Sequence, residues 1–114
     1  MQIPKPTAAD IERFLSLVPA DSRVTVKPMF GNLGAFVNGN MFMGLLGSDI
    51  GLKLDPDGLA ELATVGGAGP FGPQDRPMGG YVTLPPSLVG TAEAARWVAR
   101  SLDHVGALPP KSKR

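Results

Sequence analysis

Ile11, Phe14, Leu15 and Val18 recur at the three- and four-residue spacing of one helix face. Thr7 followed by Asp10 forms a capping box with Asp in place of Glu, so the pattern predicts a helix over Ala8 to Val18, ended by Pro19. From Arg23 to Phe30 the period drops to two, with Val24, Val26 and Phe30 on one side of an extended chain and Thr25, Lys27 and Met29 on the other. Pro28 has no N–H to give to a ladder, which places this strand at an edge or gives it a bulge.

Asn38-Gly39 separates two apolar runs, Gly34 to Val37 and Asn40 to Leu46, and this dipeptide supplies the two positive φ angles of a type I′ hairpin turn. Gly47-Ser48-Asp49 is a second turn, after which Ile50, Leu52 and Leu54 point inward while Gly51 and Lys53 point outward. A meander of four strands results. Its central part is apolar on both faces, because alternation sets Met41, Met43 and Leu45 opposite Phe42 and Leu46. An antiparallel sheet with one face in water alternates apolar with polar residues. Something must therefore cover the second face: the last helix or long loop of the same chain, or a partner docking on adaptable methionine side chains.

Asp55-Pro56 offers an N-cap acceptor and a preset φ, so a second helix begins there, with Leu59, Leu62 and Ala63 as its stripe and Gly66-Gly67 as its end. Gly66 to Gly80 then reads as a long structureless connection. Tyr81 to Leu84 is a last short strand, and Thr91 caps a final helix whose stripe is Ala94, Ala95, Val98, Leu102 and Val105, closed by Gly106. The predicted order is α-β-β-β-β-α-β-α, a two-layer α+β domain with an antiparallel sheet of about five strands and three helices.

Composition narrows the function classes. A chain of 114 residues suits one domain, expected over residues 1–106, with 107–114 as a disordered basic tail. The absence of cysteine excludes disulfides and thiolate chemistry, and no apolar run approaches the ~18 residues of a membrane span. Neither a leader segment nor a span is read, so a cytoplasmic location with no membrane contact is expected. The net charge of +1 includes +3 from Lys111, Lys113 and Arg114, which leaves the body at −2. Nucleic-acid binding by the folded body is therefore not expected.

At Lys27-Pro28-Met29-Phe30-Gly31, Gly34-Ala35-Phe36, Gly39, Met41-Phe42 and Leu52-Lys53-Leu54-Asp55, the chain resembles the N-terminal domain of the TfoX/Sxy family. Gly67, Pro70-Phe71, Met78, Tyr81, Leu84-Pro85 and Trp97 follow in that family's order, so the resemblance spans about Ile11 to Val105. The sequence departs from the family at Asn32, where a second Gly is usual, and at Gly51, where an aromatic is common. The resemblance implies a secretion-chaperone-like α+β fold in a stand-alone copy of the domain. Members that carry a further helical domain regulate competence for DNA uptake. The family supplies no catalytic residues to carry over.

The residues themselves point away from catalysis. His104 is the single histidine, placed to complement a helix C-terminus, with no convergent partners in sequence. Scattered carboxylates give no metal-ligand spacing, and Gly66-Gly67-Ala68-Gly69 follows a helix rather than a strand, unlike a phosphate loop. No cofactor, metal or enzymatic activity is expected. The expectation is a non-enzymatic regulatory or protein-interaction module, with Met29, Met41, Met43, Phe71, Arg76 and Trp97 as interaction candidates. Self-association as a homodimer, through a sheet face or edge, is one form of that contact. Alternatives are a small-ligand binder using the Gly66 to Gly80 loop with Arg76, and a nucleic-acid-binding accessory using the basic tail.

Overall fold

A computed structural model describes residues 4–72 and 77–110. Helix α1 (Ala8–Leu17) starts from the expected capping box: the Thr7 side chain accepts from the Asp10 N–H, and Asp10 accepts from the Thr7 N–H. Strands β1 (Val24–Met29), β2 (Asn32–Val37), β3 (Asn40–Leu46) and β4 (Asp49–Lys53) form the meander. Helix α2 (Pro56–Ala63) follows, capped by the Asp55 carboxylate. Then come β5 (Gly69–Pro70), β6 (Tyr81–Thr83), a single 3-10 turn (Pro86–Leu88) and α3 (Ala92–Gly106), capped by Thr91.

One antiparallel sheet of six strands runs in the order β1-β2-β3-β4-β6-β5. The two-residue β5 is the addition to the expected strand set, lying inside the segment read as structureless. A strand of two residues containing proline leaves no periodic trace in sequence, and only its pairing with β6 defines it.

The helices close one face. Phe14 of α1, Leu62 of α2, and Ala94, Val98, Leu102 and Val105 of α3 pack with Ala35, Val37, Phe42, Met43, Leu45, Ile50, Leu52, Leu54 and Val82 in the main core. Ala63 and Ala95, expected in the helix stripes, are exposed, while Gly58 and Ser101 take buried places on those helices. Ser101 is completely buried, its hydroxyl lying 2.7 Å from both the Phe42 and Lys53 carbonyl oxygens. Arg100 ties the helices together, pairing with Asp55 at 3.2 Å and Glu61 at 2.8 Å.

Two departures from simple alternation shape the sheet. Phe36 pairs with Met41 and Ala35 with Met43, so Phe42 is the extra residue of a β-bulge. The bulge reverses the parity of β3 and sends Phe42 and Met43 to the core together, leaving Met41 on the opposite face. The second departure is β1. As Pro28 suggests, it is an edge strand: Val26 pairs with the buried Ala35 on the helix-side face yet is 36% exposed, and Phe30 is 71% exposed. The helix layer does not extend over this edge, and Phe30 belongs to a turn rather than a strand.

Candidate interaction surface

The second sheet face carries a row of three cross-strand paired glycines: Gly34 opposite Gly44, and Gly44 opposite Gly51. They floor a trough that large side chains fill. A Cβ on Gly34 would stand 2.9 Å from the Phe36 ring and 3.0 Å from the Met41 sulfur. A Cβ on Gly44 would meet Met41 at 3.1 Å and Phe71 at 3.3 Å, and one on Gly51 would fall within the Phe71 ring. Phe71, the residue after β5, therefore folds back over β6 and β4 toward β3. Beside it Tyr81 stacks at 6.1 Å between ring centroids and donates its hydroxyl to the Met41 carbonyl at 2.7 Å. Burial pushes the Tyr81 phenol up to about 12.

The layer above these rings is cationic. The Lys27 ammonium lies 4.7 Å from the Phe36 ring centroid and that of Lys53 lies 5.7 Å from Tyr81. Each long stem covers aromatic surface while its charge stays in water. The apolar second face is thus closed by the chain's own loop and lysines.

The interaction candidates take the following places. Met43 is fully buried under the helices and Met41 is 8% exposed beneath Phe71 and Tyr81, so the cover read from their sequence is supplied internally and neither is presented to a partner. Phe71 is buried as that cover. Trp97 is half-buried against the core, with the Arg100 guanidinium 5.5 Å from its ring. Met29 is half-buried at the end of β1. Arg76 lies outside the described residues, as do Lys111 to Arg114. The described part of the expected tail packs: Leu108 lies against the core and the Pro109 carbonyl accepts from Asn40 at 3.0 Å. Among the described residues, no group of three or more His, Cys, Asp or Glu comes together as a metal site, and no helix is long and apolar enough to cross a membrane.

A family model described as the TfoX N-terminal domain matches residues 16–105, over three quarters of the chain. The chain belongs to the TfoX N-terminal domain family. No curated protein and no solved structure matches it. Gly51 and Asn32 both take tightly constrained places in this TfoX domain. At Gly51 any side chain would collide with the Phe71 ring. Asn32, only 3% exposed, donates to the Pro4 carbonyl at 2.9 Å and accepts from the Gly47 N–H at 2.8 Å, clamping the N-terminal segment to the β3–β4 turn.

The edge of this TfoX domain is blunted. The two-residue turn Phe30-Gly31 makes Met29 and Asn32 a hydrogen-bonded pair, so by alternation Pro28, Val26 and Val24 face their nitrogens outward. Pro28 has no hydrogen to offer, and the Val24 N–H is taken by the Asp21 carbonyl at 3.0 Å. Of these three β1 residues, Val26 alone presents a donor to an added strand.

The β1–β2 and β3–β4 turns share one end of the sheet. Phe30 has φ +53 and Gly31 φ +76, the same left-handed pair that Asn38 (+53) and Gly39 (+79) form in the next hairpin. Asn and Gly accept this geometry readily, whereas a bulky Phe is strained there. This Phe is nevertheless the most exposed of the large apolar residues in the described structure. Sequence reasoning missed it by counting Phe30 with Val24 and Val26 on one side of a strand. The following Gly31, with strand-like residues on both sides, is the local signal of a turn.

On the same end, Arg13 of α1, Ser48 and Asp49 of the turn, Ile50, Leu84, Pro86 and Val89 line a cleft of about 360 Å³. Four of these seven lining residues are apolar. Arg13 is held at the rim by Asp10 at 2.6 Å. The Thr7 backbone N–H, aided by Arg13, keeps the Asp10 carboxyl below the usual carboxylate range despite its burial.

Proposed function

We propose that this TfoX domain is a non-enzymatic, competence-regulator-like module that works in the cytoplasm by protein contact, and that the hairpin end bearing Phe30 makes the contact. The observation that carries the reading is Phe30: 71% exposed and held in a left-handed conformation that disfavours it. Strain of this kind persists where a function keeps it, and exposed aromatics are frequent anchors of protein interfaces. Closed sheet faces and a blunted edge support the same choice of surface.

The test is a photo-reactive amino acid placed at position 30 and, as a control, at exposed position 95 in the native host. A discrete cross-linked protein species that forms from position 30 and is absent from position 95 is the expected result. Equal labelling from both positions rejects the assignment of the surface.

A second reading comes from the cleft. Its volume of about 360 Å³ lies within the range of small-ligand pockets, roughly 300–1,000 Å³, and Arg13 and Asp49 set opposite charges at its rim. A thermal-shift screen with small metabolites and nucleotides tests this reading. A response abolished by Arg13→Gln favours it, and silence throughout counts against it.

A further inference from the structure

We infer that the cleft is the receptor for Phe30 of a second copy of this chain, so that two domains join as a two-fold dimer by reciprocal insertion. The inference rests on the reading that Phe30 makes the contact, and it names the partner.

Knob and hole lie on the same end of one sheet. Phe30 sits at the β1–β2 turn, the cleft borders Asp49 and Ile50 at the start of β4, and strand order separates them by two to three strands. At the usual strand spacing that is roughly 10–15 Å. A two-fold axis between such a pair brings each knob to the other copy's hole, as an isologous interface requires. Asn32, bonded to Pro4 and Gly47, fixes the two turns relative to each other, so the spacing is preset.

Size and chemistry agree. A cleft of about 360 Å³ has room for one aromatic ring, and Ile50, Leu84, Pro86 and Val89 give it apolar lining beside the polar Arg13, Ser48 and Asp49. Phe30 in turn lacks such a lining in its own chain, being 71% exposed.

Mass is measured by light scattering after gel filtration across a concentration series, for wild type, Phe30→Asn and Ser48→Trp. The first variant removes the knob and keeps a turn-compatible residue, while the second plugs the mouth of the hole from an exposed turn position. Wild type is expected to reach twice the monomer mass. Each variant alone should dimerise at least about 100-fold more weakly, as befits losing two anchor residues per dimer. Mixing the variants should raise the mass above that of either alone, because one knob and one intact hole then meet.

Three outcomes overturn the inference: a wild-type monomer at every concentration, a dimer indifferent to Phe30→Asn, or variants whose mixture behaves as the sum of its parts. A monomer that still cross-links a foreign protein from position 30 rejects the homodimer while leaving the proposed contact surface standing. A monomer with no such cross-link rejects both. Circular dichroism of each variant confirms that folding is retained, and Phe30→Ala serves as a second knobless variant.

Discussion

Replacing Phe30 by Asn separates the demands of the turn from those of a contact surface. At φ +53 the residue occupies the left-handed region, which costs an ordinary side chain roughly 1–2 kcal/mol. Asn pays much less, and Asn38-Gly39 already closes the adjacent hairpin with the same angles. Against this gain stands the lost ring packing. With 71% of Phe30 exposed, less than a third of its surface meets its own chain. Of the 150–250 Å² that a Phe can bury, that is roughly 45–70 Å², at most about 1–2 kcal/mol, and Asn retains the backbone share. The two terms nearly cancel, so stability is expected to stay level or rise by up to about 1 kcal/mol. Urea unfolding at low micromolar concentration, where self-association adds little, measures the change as a midpoint shift at constant slope. A loss greater than about 1 kcal/mol would refute the argument, because Phe30 would then be a packing residue of the monomer.

Phe71→Ala, by contrast, should cost about 3–5 kcal/mol by opening the glycine trough, and Gly51→Ala should be tolerated better in that background than in wild type, which a double-mutant unfolding cycle reads directly. Ser101→Ala is expected to cost about 1–3 kcal/mol in the same assay, since the buried Phe42 and Lys53 carbonyls lose their shared hydroxyl. Tyr81 gives a pH dependence: its folded pKa of about 12 lies above the ordinary phenol value of 10.0, so its contribution is complete below pH 10 and is lost as pH rises toward 12. That loss is on the order of 2 kcal/mol, and Tyr81→Phe should remove the alkaline slope in stability across this window.

Sequence revealed most where local chemistry decides the outcome. Asn38-Gly39, the Thr7 and Asp55 caps and the edge position imposed by Pro28 each follow from the conformations those residues permit, and each is found in place. The double-sided apolarity of β3 correctly required cover on the second face. What supplies that cover was not legible, because a ring at position 71 meets glycines at 44 and 51 only after β5 has paired with β6. The bulge at Phe42 was equally hidden: it leaves composition untouched and moves Met41 and Met43 to opposite faces. Phe30 was misplaced because an exposed aromatic in a turn has the same hydropathy as a buried one in a strand. The cleft depends on α1 lying near the 3-10 turn, a tertiary fact without a sequence motif.

The cover over the second face is fixed at several points, and this bears on which surface can act. Beside Phe71, the Thr83 hydroxyl donates to the Pro70 carbonyl at 2.9 Å and the Met78 N–H donates to the Phe71 carbonyl at 2.7 Å. The Leu54 N–H bonds Gly80 at 3.2 Å where the segment rejoins the sheet. Lifting the backbone around Phe71 away would expose the trough and break these bonds together, so Phe71 acts as a wall of the fold. With that wall closed, the helices over the other face and Pro28 silencing much of the β1 edge, these features support the proposed contact at the turns of the sheet's end. Among those turns Phe30-Gly31 alone sets a large apolar side chain into solvent, at a conformational cost that its own monomer does not recover.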